Sequence, residues 1–173
     1  MTKANTLTLM RIILVPVFLL ILYLGFPGSE WVALAVFIVA SLTDLLDGWT
    51  ARHFNEVSNL GKFMDPLADK VQVSAAMCWL VQRGSMAGWI LAAVLLREFA
   101  VSGLRLVAVE RGKVIAAAWS GKIKTASTMV CLCLMLVFHV GWLDLLCQII
   151  ILVTTLYSGI EYFAKNYRVF LDK

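Results

Sequence analysis

Four aspartates stand at helical spacing inside a largely apolar chain: Asp44 and Asp47 three apart, Asp65 and Asp69 four apart. Residues three or four apart share one face of an α-helix, so each pair presents two carboxylates in one direction. An ionised carboxylate in apolar surroundings is costly unless a cation neutralises it. Hard oxygen donors with no histidine or thiolate among them favour Mg²⁺ or Mn²⁺ over zinc. Four carboxylates can hold two such ions about 3.5–4 Å apart, the separation that clamps a phosphoryl group. Metal-assisted handling of a phosphate or diphosphate is the chemistry to expect.

The residues between the pairs suit the same ligand. Gly48 and Gly61 each cost a helix roughly 1 kcal/mol against alanine, which makes sense where a bulky ligand must lie against backbone. Ala51, one turn beyond Asp47, keeps that face open, and Arg52 offers a planar fork to a phosphate. Pro66 fits the first turn of a helix, where its missing N–H costs little. For both pairs to converge, their helices must be antiparallel neighbours joined by a short loop.

The rest of the chain supplies such helices. Of 173 residues, 61% are hydrophobic and only 15% charged, too apolar for a water-soluble core of this size. An α-helix needs about 20 apolar residues to cross hydrocarbon, and six segments qualify as spans: about 8–25, 31–50, 64–82, 86–109, 121–140 and 143–164. The first lacks a small-x-small cleavage pattern and is read as a retained span, not a signal. With both termini cytoplasmic, twelve of the fifteen Lys and Arg fall on that side, only Arg83 falls outside, and Lys70 and Arg97 lie within spans. That asymmetry obeys the positive-inside rule, and Trp31, Trp79, Trp89 and Trp142 mark the opposite interface. The expected architecture is an all-α integral membrane protein of six transmembrane helices, one domain over residues 1–173. Two cytoplasmic connections, 52–63 and 110–120, are polar enough to carry chemistry, which puts the acids on the cytoplasmic side. The net charge of +4 is topogenic and calls for no nucleic-acid partner, although it favours anionic lipid or phosphate.

A second polar set lies deeper. Arg97 and Glu98 fall in the middle of the fourth span, where an unpaired charge is expensive. Arg105 is eight residues from Arg97 and seven from Glu98, and Lys122 and Lys124 open the fifth span from the same side. Together the four cations make a basic pocket suited to an acceptor that carries its own phosphate. Cys78, Cys131, Cys133 and Cys147 fall in apolar spans and read as core packing. His139 reads as interfacial and His53 as a solvated loop residue, while Tyr157, Tyr162 and Tyr167 read mainly as interfacial anchors.

The sequence Asp44-x-x-Asp47-Gly48-x-x-Ala51-Arg52, eight residues, then Gly61-x-x-x-Asp65-x-x-x-Asp69 resembles the complete motif of the CDP-alcohol phosphatidyltransferases. The resemblance implies their six-helix membrane fold, a homodimer, two Mg²⁺ or Mn²⁺ ions, and transfer of a phosphatidyl group from CDP-diacylglycerol to an alcohol with release of CMP. Carried over by position, Asp44, Asp47, Asp65 and Asp69 become metal ligands, and Asp69 also the general base toward the acceptor hydroxyl. Gly48, Ala51, Arg52 and Gly61 would line the cytidine diphosphate pocket.

Further stretches resemble one subfamily, the phosphatidylglycerophosphate synthases: Leu7-Thr8-Leu9-Met10-Arg11, Arg97-Glu98, Ser102-Gly103-Leu104-Arg105 and Gly121-Lys122-Ile123-Lys124-Thr125, with Ser158 and Tyr162 late in the last span. Near the start the chain has Thr2-Lys3-Ala4-Asn5 where many members have Asn-x-Pro-Asn. This resemblance implies sn-glycerol 3-phosphate as acceptor, its phosphate among Arg97, Arg105, Lys122 and Lys124. Sister synthases using inositol phosphate, serine or phosphatidylglycerol are the nearest alternatives. An intramembrane prenyltransferase is more remote, since its two acidic motifs come from separate repeat halves. A cation transporter would need carboxylates continuing across the membrane. A compact chain of this kind suits a bacterial inner membrane, with membrane lipid around it.

Overall fold

The computed structural model describes residues 3–54, 59–112, 115–116 and 118–167, with side chains described over 10–43 and from 67 onward within those ranges. Six α-helices follow in order: α1 (Lys3–Leu24), α2 (Ser29–Phe54), α3 (Asn59–Arg83), α4 (Gly88–Glu110), α5 (Trp119–Val137) and α6 (Gly141–Asn166). No strand occurs among the described residues. Each helix overlaps one of the apolar segments read from the sequence. Among the described residues, α5 and α6 are long and apolar enough to cross a membrane, and shorter apolar stretches run over Met10–Leu24 and Ser29–Thr43.

The chain divides into two compact units, Met1–Trp79 and Leu80–Lys173. In the first, α1 packs on α2 through stripes at three- and four-residue spacing: Arg11, Val15, Phe18 and Leu22 against Ser29, Ala33, Phe37 and Ala40, all buried. The Phe18 and Phe37 rings meet at 5.8 Å between centroids. α3 joins this unit through buried Gln72, whose side-chain amide donates to the Phe37 carbonyl at 2.9 Å and to Ser41 Oγ at 3.0 Å.

In the second unit α6 packs on both α4 and α5. Its buried face runs Asp144, Cys147, Ile151, Thr155, Ser158, Tyr162, an unbroken run of three- and four-residue steps. α5 buries Ser120, Lys124, Thr128, Cys131 and Met135 on the same rule, and α4 buries Ile90, Val94, Val101, Leu104 and Ala108. Arg97 falls in the α4 stripe, midway between Val94 and Val101, so this guanidinium takes a core-facing position. Outward faces carry large apolar side chains such as Leu96, Phe99, Trp142 and Ile160.

The turn after α3 is built by Gly84, whose φ of +83° is a conformation that favours glycine. It lets the Ser85 N–H reach the Leu80 carbonyl at 2.9 Å. Arg83 then caps α5: its guanidinium donates to the Leu136 carbonyl at 3.3 Å and to the Met135 carbonyl, and its Nη1 stands 2.8 Å from His139 Nε2. A cation at a helix C-terminus satisfies orphan carbonyls and complements the helix dipole. Thus Arg83 has structural partners at the end of α5, and His139 is part of that cap.

Candidate functional site

The acidic residues sit on the α2–α3 hairpin. Asp44, Asp47, Gly48, Ala51 and Arg52 belong to α2, and Gly61, Asp65 and Asp69 to α3. Beyond helical backbone, Asp44, Asp47, Gly48, Ala51, Arg52, Gly61 and Asp65 lie outside the described residues, as does the His53 side chain. Asp69 is half-buried and has a partner.

The hairpin's register nonetheless follows from Gln72. Four residues join Phe54 to Asn59, and Gln72 is bonded to Ser41, a residue equally far back along α2. Only antiparallel helices can meet so. One turn nearer the connection, Asp69 stands level with Asp44. Another turn on, Asp65 stands level with the step Asp47–Gly48. The backbone therefore holds four acidic positions within two adjacent turns of two neighbouring helices. Among the described residues no cluster of three or more His, Cys, Asp or Glu could hold a metal, and three of the four aspartate side chains fall outside that set. A donor set of carboxylate oxygens alone, at one level of a hairpin, fits a hard divalent ion.

In the second unit the basic residues separate into distinct environments. Glu98 Oε1 accepts from Arg97 Nη1 at 2.9 Å and from Lys124 Nζ at 2.7 Å. All three side chains are largely withdrawn from solvent, at 12% exposure for Arg97, 20% for Glu98 and 5% for Lys124. Arg97 Nη2 also donates to Ser158 Oγ. Space for the guanidinium comes from glycine on both neighbouring helices. A Cβ at Gly159 would lie 3.3 Å from Arg97 Cγ, and one at Gly121 would lie 3.7 Å from Arg97 Nη2.

Arg105 stands apart from this trio. It is exposed, its Nε donates to Tyr162 Oη at 2.7 Å, and its guanidinium carbon lies 5.3 Å from the centre of the Tyr162 ring. Tyr162 in turn donates to the Ala116 carbonyl at 3.1 Å, tying α6 to the connection before α5. Lys122 is exposed and lies over the Trp119 ring, 5.1 Å from its centroid. Lys122 and Lys124 are two residues apart, so one faces out where the other faces in. The structure thus brings Arg97 and Lys124 together through Glu98, sets Arg105 on Tyr162, and leaves Lys122 on the surface.

Two polar groups gain a clearer part than sequence reasoning assigned them. Tyr162, expected as an interfacial anchor, is buried at 2% exposure, while Tyr157 and Tyr167 are exposed. Ser158 is fully buried against Arg97. Both fall on the three-and-four stripe of α6, and that periodicity was the signal available for finding them.

The profile of the CDP-alcohol phosphatidyltransferase family matches residues 1–158, and the chain belongs to that family. A Bacillus subtilis (strain 168) protein named CDP-diacylglycerol--glycerol-3-phosphate 3-phosphatidyltransferase is 40% identical over 182 aligned positions, covering 94% of this chain and 94% of that protein. An Escherichia coli (strain K12) protein of the same name is 37% identical over 175 positions, covering 96% of each chain.

Proposed function

We propose that the chain transfers the phosphatidyl group of CDP-diacylglycerol to sn-glycerol 3-phosphate, forming phosphatidylglycerophosphate and releasing CMP. The observation that carries this reading is the pair of cations Arg97 and Lys124, both largely withdrawn from solvent and bridged by one carboxylate oxygen. Two cations sharing one acid leave a net positive charge within α4 and α5, which suits an acceptor bearing its own phosphate. A serine or phosphatidylglycerol acceptor supplies no phosphomonoester for it. The names of the relatives, which span nearly the whole chain, support glycerol 3-phosphate over inositol phosphate.

Bond changes follow from the reactants. The acceptor's hydroxyl oxygen bonds to the phosphatidyl phosphorus, the bond from that phosphorus to the CMP oxygen breaks, and the hydroxyl proton leaves. An alcohol near neutral pH needs a positioned base for this step. Asp69 takes the proton, while Gly48, Ala51, Arg52 and Gly61 receive the cytidine diphosphate. Asp44, Asp47, Asp65 and Asp69 would hold two Mg²⁺ or Mn²⁺ ions, which when bound neutralise the diphosphate and the charge developing on CMP. Arg97, Arg105, Lys122 and Lys124 attract the acceptor phosphate, with Arg97 and Lys124 nearest to it in role and Lys122 a peripheral contributor.

All six helices cross the membrane in this reading, with both termini and the acids on the cytoplasmic side of a bacterial inner membrane. Residues 1–173 act as one membrane domain, paired with a second copy as a homodimer. The outward apolar side chains of every helix and the placement of Lys and Arg support that assignment. A detergent assay with CDP-diacylglycerol, Mg²⁺ and single acceptors tests the function. Glycerol 3-phosphate should yield phosphatidylglycerophosphate by mass. Product from inositol phosphate, serine or phosphatidylglycerol, and none from glycerol 3-phosphate, would overturn the acceptor assignment.

A further inference from the structure

The side chain that bridges Arg97 and Lys124 belongs to the protein itself. Glu98 uses one oxygen for both bonds, at 2.9 and 2.7 Å. Without it the two cations, both largely withdrawn from water, would face each other across α4 and α5, a costly arrangement. Glu98 is also the most exposed of the three, at 20% against 12% and 5%. It is therefore the member best able to move out while the cations stay. Arg97 is held further by Ser158, with room left by Gly121 and Gly159, and its Nε has no hydrogen-bond partner among the described residues. A donor thus remains on a guanidinium already fixed in place.

We propose that Glu98 is an internal occupant of the acceptor's phosphate site, holding Arg97 and Lys124 until a phosphomonoester displaces it. This rests on the acceptor reading given above and adds a discriminating residue to it. An entering anion must replace the charge-assisted bonds that Arg97 and Lys124 make to Glu98. A phosphomonoester offers three oxygens and up to two negative charges, so it matches both cations at once. A carboxylate or a halide brings a single charge and gains nothing over the glutamate already there. Selection for phosphomonoesters follows from competition with this side chain as well as from attraction by the cations.

Inorganic phosphate is the probe, used as an inhibitor against varied glycerol 3-phosphate with CDP-diacylglycerol and Mg²⁺ held constant. Glu98→Gln is nearly isosteric and keeps an oxygen that can accept from Arg97 and Lys124, but it removes the competing charge. In the wild type, phosphate should compete with glycerol 3-phosphate. In Glu98→Gln, its inhibition constant should fall by roughly tenfold or more, the scale of one lost charge-assisted bond. Glu98→Asp, a carboxylate drawn back by one methylene, should fall between them and serves if the amide variant does not fold. A merely structural glutamate gives the opposite sign, since misplaced cations would weaken phosphate inhibition. Unchanged or weaker inhibition in the variants overturns the proposal. If phosphate fails to compete in the wild type, the acceptor reading falls first and takes the proposal with it.

Discussion

Removing one hydroxyl from α6 should separate acceptor binding from the rest of the reaction. In Tyr162→Phe the ring stays buried and the guanidinium of Arg105 keeps an aromatic face 5.3 Å away. Two hydrogen bonds go: the one from Arg105 Nε at 2.7 Å and the one to the Ala116 carbonyl at 3.1 Å. A hydrogen bond to a charged group contributes about 1.5–3 kcal/mol and a neutral one about 1 kcal/mol in water-soluble proteins. In membrane bundles polar contacts average nearer 0.6 kcal/mol, because the reference state finds other partners. Arg105 is exposed and can turn to water, so its share falls at the low end. Together the two bonds come to about 1–2 kcal/mol. Thermal unfolding in detergent should therefore show a lowered midpoint with a cooperative transition. The larger effect should be on the KM for glycerol 3-phosphate, expected to rise about fivefold to tenfold as Arg105 and the connection before α5 lose their tether, a loss of about 1–1.4 kcal/mol. KM for CDP-diacylglycerol should stay within about twofold. Unchanged acceptor KM, or equal rises for both substrates, would refute the assignment of Arg105 to the acceptor.

Other perturbations follow from the same geometry. Gly159→Ala puts a Cβ 3.3 Å from Arg97 Cγ and should raise acceptor KM several-fold, whereas Gly121→Ala, at 3.7 Å, should be tolerated; steady-state kinetics on the two variants compare them directly. Lys124→Ala removes one charge-assisted bond to Glu98, which keeps Arg97, at a cost of about 1.5–3 kcal/mol. Lys122→Ala removes only an exposed cation–π contact, of about 0.5–1 kcal/mol, so Lys124→Ala should show the greater loss of thermal stability and the higher acceptor KM. Asp69→Asn should abolish CMP release while CDP-diacylglycerol still binds, as checked by equilibrium binding of the labelled lipid.

Much of this molecule was legible in its residues because apolar runs and helix period are local. The six segments read from hydropathy fall on the six helices, with ends shifted by as much as five residues. The largest such shifts are at the polar ends of α1 and α3, where Lys3 and Asn59 begin helices whose first turns look like loop. Three- and four-residue spacing also put each pair of aspartates one helical turn apart on its own helix. What stayed hidden depends on a partner far along the chain. An anchoring tyrosine and a buried one have the same apolar body and polar tip, and only Arg105 and Ala116 make Tyr162 the latter. Likewise, Arg83 looks topogenic in the sequence until the end of α5 arrives beneath it. The separation of Lys122 from Lys124 was readable in principle, since residues two apart on a helix diverge.

The most direct test is CMP release by purified protein after exhaustive chelation, followed by Mg²⁺ or Mn²⁺ added back, with CDP-diacylglycerol and glycerol 3-phosphate present. Release should be absent after chelation, return with either ion, and depend on glycerol 3-phosphate throughout. Full-rate CMP release from chelated protein would contradict the proposed carboxylate-held ions on the α2–α3 hairpin.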